Sequence, residues 1–157
     1  MLMEINNVIE DAMARTKSPD HPGSLDYRGF AVCAILLCAL DAISSYGYGR
    51  GAGRQIPPFI EAHFPQEYRP FADDVRELFR NASVHSWNLF SAEILPGNDG
   101  ICSREGRISF GLLNFFDALK SATEDFLKKL ARSPKLQSMA RHRYQWLLDR
   151  RRGLKGV

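Results

Sequence analysis

The sequence predicts an all-α protein: an up-and-down helical bundle of about five or six helices, with a small β-hairpin near residues 88–109. Three observations carry that expectation. Apolar residues recur at helical spacing along most of the chain, clusters of proline and glycine interrupt them, and only residues 88–109 depart from the pattern.

The elements follow in order. Leu2, Ile5, Val8/Ile9 and Ala12/Met13 describe a short amphipathic helix over residues 2–15. Thr16-Lys-Ser-Pro-Asp-His-Pro-Gly23 breaks it, because two prolines and a glycine do not continue a helix. Ser24 can cap a second helix running to about Tyr46. That helix is apolar almost all round from Phe30 to Ile43, which suits the centre of a bundle. The glycine-rich run Gly47 to Arg54 ends it. A short helix follows Pro57-Pro58 as far as His63, and Pro65 stops it. The next helix has Pro70 near its first turn and Asp73 and Asp74 close behind, favourable for geometry and dipole. Its apolar stripe is Phe71, Val75, Leu78, Phe79 and Ala82.

Residues 88–109 read as two short, partly apolar runs around Pro96-Gly-Asn-Asp-Gly100, hence the hairpin. From Phe110 or Asn114 a strongly amphipathic helix runs to Leu130, with Leu112, Phe115/Phe116, Leu119, Phe126/Leu127 and Leu130 inward. After Ser133-Pro134 a basic helix covers residues 134–150, with Met139, Trp146, Leu147 and Leu148 as its apolar face, and residues 151–157 form a frayed tail.

A chain of 157 residues fits one domain over residues 1–157, with ordinary proportions of hydrophobic (45%) and charged (25%) residues. The longest apolar run, Phe30 to Leu40, falls short of the roughly 20 residues a membrane helix needs. The N-terminus does not read as a secretory signal, and the three cysteines are an odd count, with Cys33 and Cys38 expected as packed thiols. A reduced, cytoplasmic protein with no membrane association is expected. The net charge of +3 is unevenly spread. Residues 1–125 carry 11 Lys/Arg against 17 Asp/Glu, a net of −6; residues 126–157 carry 10 against one, Asp149, a net of +9. A cationic end on an acidic body can attract phosphate backbones, dock on its own body, or dock on a twin subunit.

The chemistry-bearing run is Arg80-Asn81-Ala82-Ser83-Val84-His85, at the end of an amphipathic stretch. On a helix, Asn81 and His85 are separated by ~40° and share one edge, whereas Arg80 and His85 are ~140° apart. Arg80 must reach back or work with a neighbouring copy of the motif, which suits a groove between two helices. Histidine can move protons near neutral pH, and arginine offers a permanent forked charge to phosphoryl oxygens. Asn81 can orient either the imidazole or the phosphate. Two copies across a two-fold axis would supply what cleavage by a ribose 2′-OH requires, with no metal and no cofactor, and would leave DNA intact. The plain alternative is a solvated arginine and a histidine that satisfies the last carbonyls of a helix.

Arg80-Asn81-x-x-x-His85 resembles the signature of HEPN domains, small helical proteins often encoded in bacterial toxin–antitoxin and defence systems. The context Phe64-Pro-Gln-Glu-Tyr-Arg-Pro-Phe-Ala-Asp-Asp-Val-Arg-Glu-Leu-Phe-Arg-Asn-Ala-Ser-Val-His-Ser86 resembles a group of uncharacterised bacterial proteins of this type. In those, an aromatic-Pro segment leads into Leu-Tyr/Phe-Arg-Asn-Gly-Leu-Val-His; here Ala82-Ser83 replaces the Gly-Leu pair. The close match covers about residues 59–87. The resemblance implies a homodimer whose two motifs face a shared cleft, metal-independent endoribonuclease activity with Arg80, Asn81 and His85 as the site, and an antitoxin or other protein partner. It equally admits a non-catalytic HEPN-type dimeric module that binds a partner protein, a nucleotide or nucleic acid.

Secondary RNA-contact candidates are Arg50 and Arg54 in the glycine loop and Arg141 and Arg143 in the basic helix, where Tyr144 and Trp146 add aromatic faces. The glycine loop lacks the Gly-Lys-Ser/Thr ending of a nucleoside triphosphate loop, so a flexible connector is the expected role. Asp73, Asp74 and Glu77 are accounted for by the helix dipole rather than by a metal. His21, His63 and His142 lie in a Pro-Gly loop, at a helix end and among arginines, and none is expected to mark a site.

Overall fold

The computed structural model describes residues 27–49, 53–84, 92–95, 100–104 and 107–153. The expected helix over residues 2–15 lies outside them. The described elements are α1 (Tyr27–Tyr48), α2 (Ile56–His63), a 3-10 turn (Gln66–Phe71), α3 (Ala72–Val84), β1 (Ala92–Leu95), β2 (Cys102–Arg104), β3 (Arg107–Gly111), α4 (Leu112–Arg132) and α5 (Pro134–Gly153). The fold is a helical bundle with one small sheet.

α1 is its centre, packing against all four other helices and touching β1. Its Val32, Cys33, Leu36, Leu37 and Leu40 are buried, and each fully buried leucine adds roughly 1.5–3 kcal/mol of hydrophobic stabilisation. One face stays open, however: Ile35, Cys38 and Ala42, at i, i+3 and i+7, are exposed. Cys33 is the packed thiol that was expected, and burial pushes it up to about 12; Cys38 is not packed.

Prolines set the boundaries of the next elements. Pro57 and Pro58 occupy the first turn of α2, where a missing N–H costs nothing. Pro65 caps the 3-10 turn, and Pro70 lies within it, so α3 starts at Ala72 with Asp73 and Asp74 in its first turn. Val75 and Leu78 of the expected stripe are buried and Phe71 is half-buried; the side chains of Phe79 and Ala82 lie outside the described set.

The small β element has three strands in the order β1-β3-β2. β2 and β3 form an antiparallel hairpin with Ser103 opposite Ile108. β1 runs parallel to β3, with Ile94 opposite Phe110. The runs on either side of the Pro96–Gly100 cluster therefore do not pair with each other as a tight hairpin, because β1 lies parallel to β3; residues 96–99 themselves lie outside the described residues. β3 runs directly into α4, and Ile94, Ile101 and Ile108 bury one side of the sheet.

In α4, Leu112, Phe115, Phe116, Leu119 and Phe126 are buried as expected, and Leu130 is partly so. Leu127 is not inward: it is 54% exposed, because Phe126, ~100° away on the helix, takes the core position. Ser133 joins two helices. Its N–H closes α4 on the Lys129 carbonyl at 3.0 Å, while its Oγ accepts from the Leu136 N–H at 3.3 Å and so caps α5, with Pro134 next in line. No side chain over residues 134–150 is buried, and Leu147, expected on the packed face, is exposed.

Candidate functional site

α3 carries residues 80 and 81 near its C-terminal end, at Val84. The side chains of Arg80 and Asn81 lie outside the described residues, as do His85 and Arg50 altogether. Among the other candidates, Arg54 is exposed in the turn that leads into α2. Arg141 is exposed on α5, with its Nε donating to the Gln137 carbonyl at 3.3 Å. Arg143 turns the other way. Its Nε donates to Ser45 Oγ on α1 at 3.1 Å, and its guanidinium lies 4.4 Å from the Trp146 ring centroid.

The structure assembles a cluster around His63 that the sequence did not advertise. Asp125 on α4 accepts from His63 Nδ1–H at 2.6 Å, which leaves Nε2 to accept the Tyr48 hydroxyl at 2.9 Å. The imidazole stands between Phe59 and Phe126, with ring centroids at 4.8 and 5.5 Å, and its side chain is 1% exposed. Lys129 pairs with Asp125 at 2.8 Å and donates to the Ala62 carbonyl at 3.1 Å, in the last turn of α2. Gly47 makes the approach of α1 possible, since a Cβ there would stand 2.6 Å from Phe126 Cε2. Gly53, at φ +78°, makes the left-handed turn whose carbonyl accepts the Ile56 N–H at 3.0 Å.

Electrostatics agree with this geometry. Burial holds the His63 pKa below its ordinary value, and Lys129 works the same way against the raising influence of Asp125. The Lys129 ammonium, followed by the His63 hydrogen bond, holds the Asp125 carboxyl below the usual carboxylate range. His63 is thus a neutral imidazole of fixed tautomer tying α1, α2 and α4 together.

A second polar cluster fastens α5. Gln55 donates through Nε2 to the Asp41 carboxylate, and its Oε1 is buried without a partner. Burial pushes the Asp41 carboxyl up, opposed first by the Arg143 charge. Ser45 donates to the Ala42 carbonyl at 2.7 Å and receives Arg143. Elsewhere, Tyr68 donates to Asn114, joining the 3-10 turn to α4.

No family model, curated protein or solved structure matches this chain. Among the described residues, no three His, Cys, Asp or Glu side chains cluster as metal ligands, and no helix is long and apolar enough to cross a membrane.

Sequence reasoning passed over His63 because its partners are remote, 62 residues away for Asp125 and 15 for Tyr48. The available signal was the Asp125–Lys129 pair at i, i+4, which sets a carboxylate and an ammonium on one exposed helix edge.

Proposed function

We propose that the chain is an HEPN-like, metal-independent endoribonuclease that acts on RNA as a homodimer. His85 moves the proton, Arg80 stabilises charge on the phosphoryl oxygens, and Asn81 orients the imidazole or the phosphate. The observation that supports this reading is the Arg80-Asn81-x-x-x-His85 run in its setting. Its first two residues belong to the C-terminal half of α3 in a helical bundle, and an aromatic-Pro segment, Phe64-Pro65, leads through a 3-10 turn into that helix. With two motifs meeting at a subunit seam, each arginine serves a scissile phosphate beside the partner's histidine, which meets the ~140° separation within one chain.

Cleavage of single-stranded RNA in EDTA is the test. Wild type cuts; His85→Ala and Arg80→Ala fold and do not. Equal cutting by all three proteins means a contaminating nuclease. Stable dimers that bind a nucleotide, nucleic acid or partner protein without cutting RNA would establish the non-catalytic module instead.

A further inference from the structure

We propose that the outer face of α5 is a docking strip for single-stranded polynucleotide, held by backbone charge and ring stacking and indifferent to the sugar. It adds to the nuclease reading a binding surface that does not depend on the Arg80/His85 motif.

The argument begins with how lightly α5 is attached. Its inner side lays half-buried Leu136, Met139, Ala140, Arg143 and Trp146 toward the body, and no side chain over residues 134–150 is buried. Two cations are already engaged: half-buried Arg143 on Ser45 and Trp146, and exposed Arg150 at 4.9 Å from the Trp146 ring. The outer side is different in composition. Lys135, Ser138, Arg141, His142, Tyr144 and Gln145 are all exposed. The one acid of α5, Asp149, is occupied by the Gln145 amide at 2.9 Å. Lys128 and Arg132, exposed on the last turns of α4, continue the cationic run across Ser133.

Charge selects a polyanion: residues 126–157 carry a net of +9 against −6 for the rest. The ring selects among polyanions. Tyr144 is 57% exposed and stands three residues from Arg141 on one flank, so a π-face and a guanidinium are presented together. Unpaired bases stack on such a ring, whereas a duplex keeps its bases stacked on one another. An anionic membrane would call for a continuous apolar stripe on this face, but Ser138, Arg141, His142 and Gln145 interrupt it. Neither backbone charge nor stacking reads the 2′-OH, so DNA binds as well as RNA. The 20 residues of α5 span about 30 Å, enough for a tract of several nucleotides.

Fluorescence anisotropy with labelled oligo(dT) and oligo(U) of about 20 nucleotides, across a sodium chloride series, tests this. Both oligomers bind with similar affinity. Engagement of Lys128, Arg132, Lys135 and Arg141 gives a log–log salt slope of about −2.8, at about 0.7 per phosphate contact. The double variant Lys135→Gln/Arg141→Gln lowers the slope by about 1.4 and weakens binding. Tyr144→Ala weakens binding roughly 5- to 150-fold and leaves the slope unchanged. These residues are exposed, and circular dichroism melts confirm that the variants fold. Failure of both oligomers to bind overturns the proposal, as do variants indistinguishable from wild type or tighter binding to phosphatidylserine vesicles than to oligo(dT). The two readings fail separately: oligo(dT) binding without RNA cleavage sinks the nuclease alone, and cleavage without oligo(dT) binding sinks the strip alone.

Discussion

Replacing His63 by alanine removes a side chain of α2 that hydrogen-bonds to both α1 and α4. The imidazole donates to a carboxylate at 2.6 Å and accepts a phenol at 2.9 Å. A hydrogen bond to a charged group contributes roughly 1.5–3 kcal/mol net, and the Tyr48 hydroxyl is left half-buried without its acceptor. Lost packing against Phe59 and Phe126 adds to this, so His63→Ala destabilises the fold by about 3 kcal/mol, or roughly 6–12 °C in Tm for a chain of this size. The pH dependence carries a sign. His63 is held below its ordinary value of 6.5, so the unfolded chain takes up the proton first as pH falls. Its contribution is complete above about pH 6.5 and is lost as pH drops from there through the folded value, with a slope of at most about 1.4 kcal/mol per pH unit. Urea denaturation of wild type and His63→Ala from pH 8 to pH 5 reads both quantities. The gap between them is widest at pH 8 and narrows toward pH 5. A gap that is constant with pH, or a variant within about 1 °C of wild type, refutes the reasoning.

Other outcomes follow from the packing. Gly47→Ala places a Cβ 2.6 Å from the Phe126 ring, and a melt should show a loss of about 1–3 kcal/mol. Leu36→Ala or Leu40→Ala, at fully buried positions in the central helix, should each cost about 2–5 kcal/mol in a urea titration. Exposed Cys38 should react with a thiol reagent in the native state, whereas Cys33, pushed up to about 12 by burial, should react only as the chain unfolds. Arg143→Ala should speed hydrogen exchange over residues 134–150 while leaving global stability within about 1 kcal/mol, because α5 buries no side chain over that span.

Much of the fold was legible because local chemistry sets it. Pro57-Pro58, Pro65, Pro70 and Ser133-Pro134 punctuate the helices where the chain turns, since each proline removes a donor and fixes φ. The stripe of α4 was legible for five core residues and failed at Leu127, where two adjacent apolar residues compete for one inward position and only tertiary packing against His63 and Gly47 decides for Phe126. Cys38 failed for a related reason: α1 is apolar nearly all round, so periodicity does not say which face stays open. The strand order was hidden because a turn-rich segment marks an interruption without saying whether its flanks pair with each other. Of the proposed site, the residue types and spacing of Arg80, Asn81 and His85 were all in the sequence. Arg143 was read as a nucleic-acid contact from its neighbours, and only the fold shows it fastened to Ser45.

The most direct measurement of the central claim is the chemistry of the cut ends. End-labelled single-stranded RNA incubated in EDTA with wild type should yield 2′,3′-cyclic phosphate termini, and neither His85→Ala nor Arg80→Ala should yield any. Intact RNA with a folded, dimeric wild-type protein, or fragments bearing 3′-hydroxyl ends, would contradict it.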